Sequence, residues 1–261
     1  MTETGPPFWL ITYPDFRHHQ TALDPAIYFL KSVVMTYTLL IGDRSYSSWS
    51  LRGWLCFAAF DIPVTVETTR LYDPQFQKDL ARFAHGRTVP AVRTPDSTVL
   101  TDSLSIAWHL AESFPDHELL PTDPNLRANA MNMIVEMHAG FQGLRSACPM
   151  NLRTGWTNFQ VSDAVQNDLA RLEKIWSEAR AKHDGSTPWL CGAYSLADAY
   201  FAPVATRIAT YDLPVTPQTR DYVDAHLSHS AFINWRTEGM LEGADQPNYE
   251  MNLPRRPFPL G

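Results

Sequence analysis

The chain has 261 residues, of which 44% are hydrophobic and 19% are charged, and its formal net charge is −7. This composition supports a buried core in one large domain or two small ones, and it argues against wholesale disorder. The acidic balance disfavours a nucleic acid as the main partner, because phosphate binding requires a basic face. No run approaches the roughly 18 apolar residues of a membrane span, so no membrane association is predicted.

The three cysteines, Cys56, Cys148 and Cys191, are widely spaced. Their odd number and irregular spacing indicate neither a disulfide framework nor a metal site, and they fit a reducing, cytoplasmic environment. The nine histidines form no HExxH motif, so we predict no metal. Residues 1–34 carry no signal-peptide pattern, and we interpret them as an N-terminal extension or as the product of an upstream start codon.

The first half of the chain alternates strand-like and helix-like runs. Apolar and β-branched runs predict strands over 36–41 and 64–71, and a hairpin of strands 91–94 and 99–101 around the turn Pro95-Asp96-Ser97. Apolar residues at helical spacing predict helices over 50–60, 74–83 and 104–114. The order β-α-β-α-β-β-α predicts a compact α/β domain over residues 35–114.

The second half is predicted to be helical. Three prolines within residues 115–124 indicate a linker, and apolar residues then recur at helical spacing over 125–242. Ser195 and Asp198 have the spacing of a capping box, which predicts a helix start and a structural role. Residues 243–261 are proline-rich and show no period, so we expect a mobile tail there.

The Val89-Pro90 step directly precedes one of the short predicted strands. A proline at this position cannot donate a ladder hydrogen bond. A cis Val89–Pro90 bond would leave main-chain groups free to bind a peptide as an added strand does. The alternative is an ordinary trans proline at the start of a strand.

Two serine-containing segments lie at predicted helix starts. Ser103 is a candidate N-cap and, with its helix N-terminus, a candidate carboxylate site, while Asp102 beside it could bind an ammonium group. Ser47 and Ser48 precede the first helix, where the positive field of the backbone N–H groups would stabilise a thiolate. In both segments a helix cap alone is the alternative interpretation.

The order of these segments, with Trp49-Ser50-Leu51-Arg52 after the two serines, resembles the cytosolic glutathione transferase superfamily over roughly residues 36–241. The resemblance implies a thioredoxin-like α/β domain followed by an all-α domain, and a cytoplasmic homodimer with a role in detoxification. Ser47 aligns with the catalytic serine of the zeta class, and Ser48 with that of the theta and delta classes. Both are catalytic candidates, and we slightly favour Ser47.

The resemblance also implies that glutathione is the co-substrate, with a binding site formed by Thr88, Val89, Pro90, Asp102 and Ser103. Residues 136–151 are similar to a little-characterised bacterial branch of the superfamily.

The sequence departs from the family pattern at two positions of the expected site. The zeta-class loop carries a cysteine where this chain has Trp49, and the family often has Lys or Gln where this chain has Thr88. We expect Cys56 to pack in the core.

The pocket for the second substrate is less clearly marked. His138, Phe141 and Arg145 are spaced to share one helix face, and with Trp49 they are the candidates for its lining. A partly exposed helix face is the alternative. The leading interpretation is a glutathione transferase-like enzyme in which the thiolate of glutathione attacks a small hydrophobic electrophile. A maleylacetoacetate isomerase-like enzyme, a dehalogenase and a non-catalytic ligand-binding member of the fold are the alternatives.

Overall fold

The computed structural model describes residues 36–84, 86–183 and 185–259. The N-terminal extension that we predict for residues 1–34 lies outside the described residues. Within the described residues, no helix is both long enough and apolar enough to cross a membrane.

The first part of the described chain is a four-stranded mixed sheet with helices packed on it. Its strands are β1 (Tyr37–Ile41), β2 (Val64–Thr68), β3 (Ala91–Arg93) and β4 (Val99–Leu100), in the order β2-β1-β3-β4. β1 runs parallel to β2, whereas β3 is antiparallel to both β1 and β4. The helices are α1 (Ser48–Ala58), α2 (Gln75–Ala81) and α3 (Ser103–Ser113). The parallel pair needs a crossover, which α1 supplies. This is the predicted thioredoxin-like arrangement.

The starts of α1 and α3 are set by side-chain caps. The Ser47 hydroxyl accepts a hydrogen bond from the Ser50 N–H at 3.3 Å. For α3 the predicted cap, Ser103, is wrong by one residue, because the Asp102 carboxylate accepts from the Leu104 N–H at 2.7 Å. Asp102 has an extended backbone, as an N-cap requires, so Ser103 becomes the first helical residue.

The second part is mainly helical, as predicted, and also contains a two-stranded ribbon. Its helices are α4 (Pro124–Ala139), α5 (Gln142–Ala147), α6 (Asp163–Arg180), α7 (Leu196–Thr210), α8 (Pro217–Ser228) and α9 (Ser230–Leu241). Short 3-10 helices cover Pro115–His117 and Pro247–Tyr249, and β5 (Thr154–Trp156) pairs antiparallel with β6 (Arg255–Pro257). The predicted capping box of Ser195 and Asp198 is present, and α7 is buried along its whole length.

Residues 243–259, which we name the C-terminal strap, differ from the predicted mobile tail. They contain the second 3-10 helix and β6, and the side chains of Gln246 and Phe258 are buried. Gln246 Nε2 donates to the carbonyl of Leu71 at 3.1 Å, which ties the strap to the sheet part. A proline-rich run without apolar period can still pair as a short strand, so its lack of period did not predict disorder correctly here.

One hydrophobic core extends through both parts. It contains Leu39 and Phe57 from the sheet part as well as Trp176 and Tyr200 from the helices. α1 packs directly against α7. The buried face of α1 is therefore shared between the two parts, and its N-terminal end lies at the junction where the predicted site residues converge.

Candidate active site

Two adjoining cavities lie at this junction. The larger has a volume of about 780 Å³, and its walls include Ser47 and Ser48 from the N-terminal end of α1 together with Arg207 from α7. The smaller has a volume of about 470 Å³, and its walls include Asp102 and Ser103. Both cavities are lined by Trp49, Thr88, Val89, Gln142 and Arg145. Two adjoining compartments can hold two reactants side by side.

The structure brings together all but one of the predicted site residues. Pro90 and His138 line the smaller cavity with Asp102 and Ser103. Phe141 is the exception, because it lines neither cavity, is 6% exposed and packs towards the Phe201 ring. The helix that we predicted to carry this face ends at Ala139, and Phe141 adopts a left-handed conformation (φ 58°) before α5 begins. This break turns the Phe141 side chain into the core.

The Val89–Pro90 peptide bond is cis, which is the first of the two alternatives that the sequence left open. Pro90 lies directly against α1, where Gly53 leaves the space that its ring occupies. A Cβ atom at position 53 would lie 2.6 Å from Pro90 Cγ, which is closer than atoms can pack. The glycine therefore allows β3 and the N-terminal end of α1 to approach each other, and this approach brings Val89 next to the serines.

The two serine hydroxyls have different partners. Ser47 Oγ lies 2.8 Å from Ser50 Oγ, and Ser50 Oγ in turn accepts from the Gly42 N–H at 2.9 Å. Ser47 is also 7% exposed. Ser48 is less buried, and its Oγ accepts from Nη2 of Arg207 at 3.2 Å. The Ser47 hydroxyl is thus part of a cap network, whereas the Ser48 hydroxyl faces a cation.

Positive charge is concentrated around Trp49. The guanidinium carbons of Arg52 and Arg145 lie 4.6 Å and 4.8 Å from the centroid of its ring. Burial, followed by the charges of Arg207 and Arg145, lowers the pKa of Arg52 to about 9. Nε and Nη1 of Arg52 have no hydrogen-bond partner within the described part of the chain. Such a cluster favours an anionic ligand nearby.

The carboxylate of Asp102 is half exposed at the mouth of the smaller cavity. One of its oxygens caps α3, and the other lies 3.7 Å from Nε2 of His138. The His138 ring is itself in edge contact with Trp49, with centroids 5.2 Å apart. Asp102 can therefore accept a hydrogen bond from a ligand ammonium while it keeps its capping bond.

Residues 46–113 match the family model of the glutathione S-transferase N-terminal domain. The sheet part of the chain is therefore similar to the N-terminal domain of glutathione S-transferases. The chain is 31% identical over 144 residues to a probable maleylacetoacetate isomerase of Caenorhabditis elegans, which covers 54% of this chain and 66% of that protein. It is 28% identical over 151 residues to glutathione S-transferase Z1 of Arabidopsis thaliana, which covers 54% of this chain and 62% of that protein. Each match spans less than two thirds of the relative's own length.

Solved structures of glutathione transferases share the fold. A homologue from Burkholderia gl BGR1 with bound glutathione has a TM-score of 0.58 at 22% identity, and the match covers 79% of this chain and all of that one (100%). Glutathione transferase Omega 3C from Trametes versicolor has a TM-score of 0.59 at 19% identity, with 82% of this chain and 91% of that one covered.

Sequence reasoning did not assign two of the residues that line this candidate site. Arg207 is the one basic residue in the sequence of α7, whose other charged residue, Asp198, belongs to the capping box, and a basic residue in so apolar a helix was the available signal. Tyr249 belongs to the C-terminal strap, lines the larger cavity and packs on Tyr46 with ring centroids 4.8 Å apart. No local pattern marks Tyr249, because its place depends on how the strap folds back.

The chain's own thiols do not form part of this site. All three cysteines are free and buried, and burial raises the pKa of each to about 12. Within the described residues, no group of three or more His, Cys, Asp or Glu side chains is arranged to hold a metal ion.

Proposed function

We propose that this chain binds glutathione and activates its thiol for attack on a small electrophile. The observation that carries the proposal is the meeting of the two cavities at the N-terminal end of α1. Ser47 and Ser48 lie at this point, and Val89 and the Asp102-Ser103 pair lie opposite them. A tripeptide with a thiol in its middle residue fits a site of this kind, in which a peptide-binding edge runs past a helix N-terminus.

The smaller cavity is proposed to hold the γ-glutamyl end. Its ammonium group would pair with the Asp102 carboxylate, and its α-carboxylate would lie at the N-terminus of α3, near the Ser103 hydroxyl. The main-chain groups of Val89 would then hydrogen-bond the cysteinyl residue, with Thr88 and Pro90 beside it. This orientation directs the sulfur towards α1.

The thiol is proposed to ionise at the N-terminus of α1. A free thiol has a pKa of about 8.5, and lowering it by about two units requires about 2.7 kcal/mol of preferential stabilisation of the thiolate. One charge-assisted hydrogen bond from a serine hydroxyl together with the helix dipole is of this order. The thiolate forms the new sulfur–carbon bond, and the leaving group departs with its electron pair.

The remaining space of the larger cavity is proposed to hold the electrophile. Its outer walls are largely apolar and aromatic, formed by Leu71, Tyr72, Phe76, Met150 and Tyr249. Trp49 and Arg145 form the wall towards the glutathione compartment. We include in the proposal a cytoplasmic homodimer with a role in detoxification, which the similarity to glutathione transferases supports.

A second candidate function is glutathione-dependent isomerisation. It is favoured by the similarity to relatives named maleylacetoacetate isomerase, of which the protein of Rattus norvegicus is 26% identical over 178 residues. In that reaction the thiolate would add to the substrate and leave again, so glutathione would be regenerated. Dehalogenation and ligand carriage without turnover are the other candidates.

The test is calorimetric titration of glutathione into the protein, paired with ultraviolet difference spectra that record thiolate formation across pH. We expect binding and a bound-thiol pKa well below the free value. Asp102→Asn should weaken binding by about tenfold, because it removes the charge that pairs with the ammonium group. A control titration with S-methylglutathione should show binding without the thiolate signal. Absence of binding at millimolar glutathione would overturn the proposal, and binding without thiolate would indicate a carrier.

A further inference from the structure

We propose that Arg207 is a positioning residue that orients the Ser48 hydroxyl and places a fixed positive charge beside the sulfur of glutathione, so that Ser48 is the donor to the thiolate. The inference rests on the proposed function, and it assigns within that site a residue from the helical part of the chain.

The guanidinium of Arg207 is held rigidly. It is 4% exposed, its Nε donates to the Cys148 carbonyl at 2.8 Å and its Nη1 donates to the Pro203 carbonyl at 3.0 Å. These two bonds fix the plane of the group, and Nη2 then reaches Ser48 Oγ at 3.2 Å on the wall of the larger cavity. The hydroxyl therefore lies at a defined place with a cation behind it.

The hydrogen-bond roles of the two hydroxyls favour Ser48. A hydroxyl has one hydrogen to donate. Ser47 Oγ accepts from the Ser50 N–H and lies at donating distance from Ser50 Oγ, so its hydrogen is used within the cap. Ser48 Oγ accepts from a guanidinium, which leaves its own hydrogen for a ligand and polarises the O–H bond towards donation.

Charge balance points in the same direction. Within the described residues, Arg207 makes no ion pair with a carboxylate, and burial followed by the charge of Arg145 lowers its pKa to about 10. A buried cation without a counter-ion is destabilising, and an anionic ligand group would compensate it. The sulfur is the ligand atom that the proposed orientation brings to Ser48, and the same cation would then lower the pKa of the thiol.

The other titratable groups around Arg207 do not supply that negative charge at neutral pH. Burial raises the pKa of Cys148 to about 12, and it raises the pKa of Tyr211 and Tyr249 above the ordinary value of a phenol. These three groups come from the segment after α5, the end of α7 and the C-terminal strap, and all are neutral at pH 7. Arg145 on α5 and Arg52 on α1 add further positive charge.

The experiment measures the pKa of the bound thiol by ultraviolet difference spectroscopy in five forms of the full chain. These are the wild type, Ser47→Ala, Ser48→Ala, Arg207→Gln and Arg180→Gln. We expect Ser48→Ala and Arg207→Gln each to raise the bound-thiol pKa by one to two units, which is a loss of about 10- to 100-fold in the thiolate equilibrium. Affinity for S-methylglutathione should change less than about threefold. Ser47→Ala should shift the thiol pKa by less than half as much as Ser48→Ala.

Arg180→Gln is the matched control for loss of a buried arginine. Arg180 on α6 is 8% exposed, lines a separate cavity and also has donors without partners, but it does not line either cavity of the site. We expect it to leave the bound-thiol pKa unchanged. A wild-type thiol pKa in Arg207→Gln, or a larger shift in Ser47→Ala than in Ser48→Ala, would overturn the inference while leaving the proposed function intact.

If Arg207→Gln does not fold, the two serine variants and Arg207→Lys decide the question. Lysine keeps the charge but cannot make the three directed bonds. When Ser48 is present, Arg207→Lys should therefore give a bound-thiol pKa between those of the wild type and Ser48→Ala. When Ser48 is already replaced by alanine, adding Arg207→Lys should raise the bound-thiol pKa by less. Equal shifts in the two backgrounds would contradict a role through Ser48. Failure of the wild type to bind glutathione would overturn both this inference and the proposed function.

Discussion

Trp49 shows how one side chain can organise the junction of two compartments. The guanidinium groups of Arg52 and Arg145 both lie within 5 Å of the centroid of its ring, and the indole lines both cavities. Two cations at one aromatic ring are favourable because each interacts with the electron-rich face. The ring thus offsets part of the repulsion between the two arginines, and it keeps positive charge on the wall that it shares with the serines.

A buried histidine far from this site should make the stability of the protein depend on pH. His226 on α8 is 2% exposed and lies against the rings of Trp189, Tyr222 and His229. Burial, followed by the charge of His229, lowers its pKa to about 3. An unfolded histidine has a pKa of about 6.5, so below that pH the unfolded chain binds a proton that the folded chain does not. Stability should therefore fall as the pH drops below 6.5.

At pH 5 the His226 contribution to this loss should be about 2 kcal/mol. Urea unfolding of the wild type and of His226→Phe at pH 8 and pH 5 measures it. We expect the variant to lose about 2 kcal/mol less stability than the wild type between the two pH values. The difference at pH 8, where His226 is neutral in both states, reports the packing change alone. Equal losses in the two proteins would show that His226 does not control the acid sensitivity.

At the scale of elements, two helix N-termini point into the same junction. α1 and α3 each begin at a capped residue that lines one of the cavities, and Val89, just before β3, lines both cavities. Each N-terminus carries unpaired N–H groups and the positive end of a helix dipole. Together they provide two anion-favouring positions, which the proposed function assigns to the thiolate and to the α-carboxylate of glutathione.

The C-terminal strap is the element that completes the larger cavity, because it carries Tyr249. Arg153 anchors it: Nη1 donates to the Gly243 carbonyl and to the Asp245 carboxylate, both at 2.9 Å, and Nε donates to Ser45 Oγ at 3.1 Å. The same guanidinium also donates to the Gly239 carbonyl at 3.0 Å, so it joins the strap to the end of α9 and to the loop before α1.

Loss of this anchor should release the strap. We expect Arg153→Met to lower the free energy of unfolding by about 2–3 kcal/mol, since several charge-assisted hydrogen bonds are lost together. Trypsin should then cleave faster after Arg255, whereas the Arg256–Pro257 bond resists trypsin because of its proline. The control is Arg171→Met, which breaks an exposed ion pair with Glu136 and should cost at most about 1 kcal/mol. Equal proteolysis in the two variants would rule out an anchoring role for Arg153.

At the scale of the whole molecule, the sheet part and the helical part share their interior. Trp54 on α1 packs on Trp235 of α9 with ring centroids 5.1 Å apart, and one cluster of buried residues includes both. Separating the parts would expose this apolar surface to water, which is unfavourable in proportion to its area. The sheet part also has a small separate cluster around Leu80 and Phe83, but its larger core is continuous with that of the helices.

The shared core predicts a single cooperative unfolding transition. Far-ultraviolet circular dichroism reports mainly the helices, whereas tryptophan fluorescence includes Trp54 and Trp235 at the boundary. We expect both signals to give the same urea midpoint within about 0.2 M, as a two-state protein requires. Two resolved transitions would mean that the parts unfold independently and that their contact adds little stability.

The sequence by itself determined those features that depend on neighbours along the chain. The strand and helix order and the capping box of Ser195 and Asp198 were predictable from local residue patterns, and a cap among the serines before α1 was one of the interpretations that those patterns left open. These features depend on residues that are only a few positions apart in the chain, so a short segment of sequence contains the residue types that determine them.

Only the tertiary structure decided the place of Phe141, the path of the C-terminal strap and the partner of Ser48. The Phe141 side chain turns into the core because α4 ends at Ala139. The strap is held by distant groups, because Arg153 donates a hydrogen bond to the Gly243 carbonyl and the Leu71 carbonyl accepts one from Gln246. Ser48 and Arg207 are 159 positions apart in the chain, yet their side chains meet in the folded protein. A bond between such distant residues depends on how α1 packs against α7, and no local pattern encodes that packing.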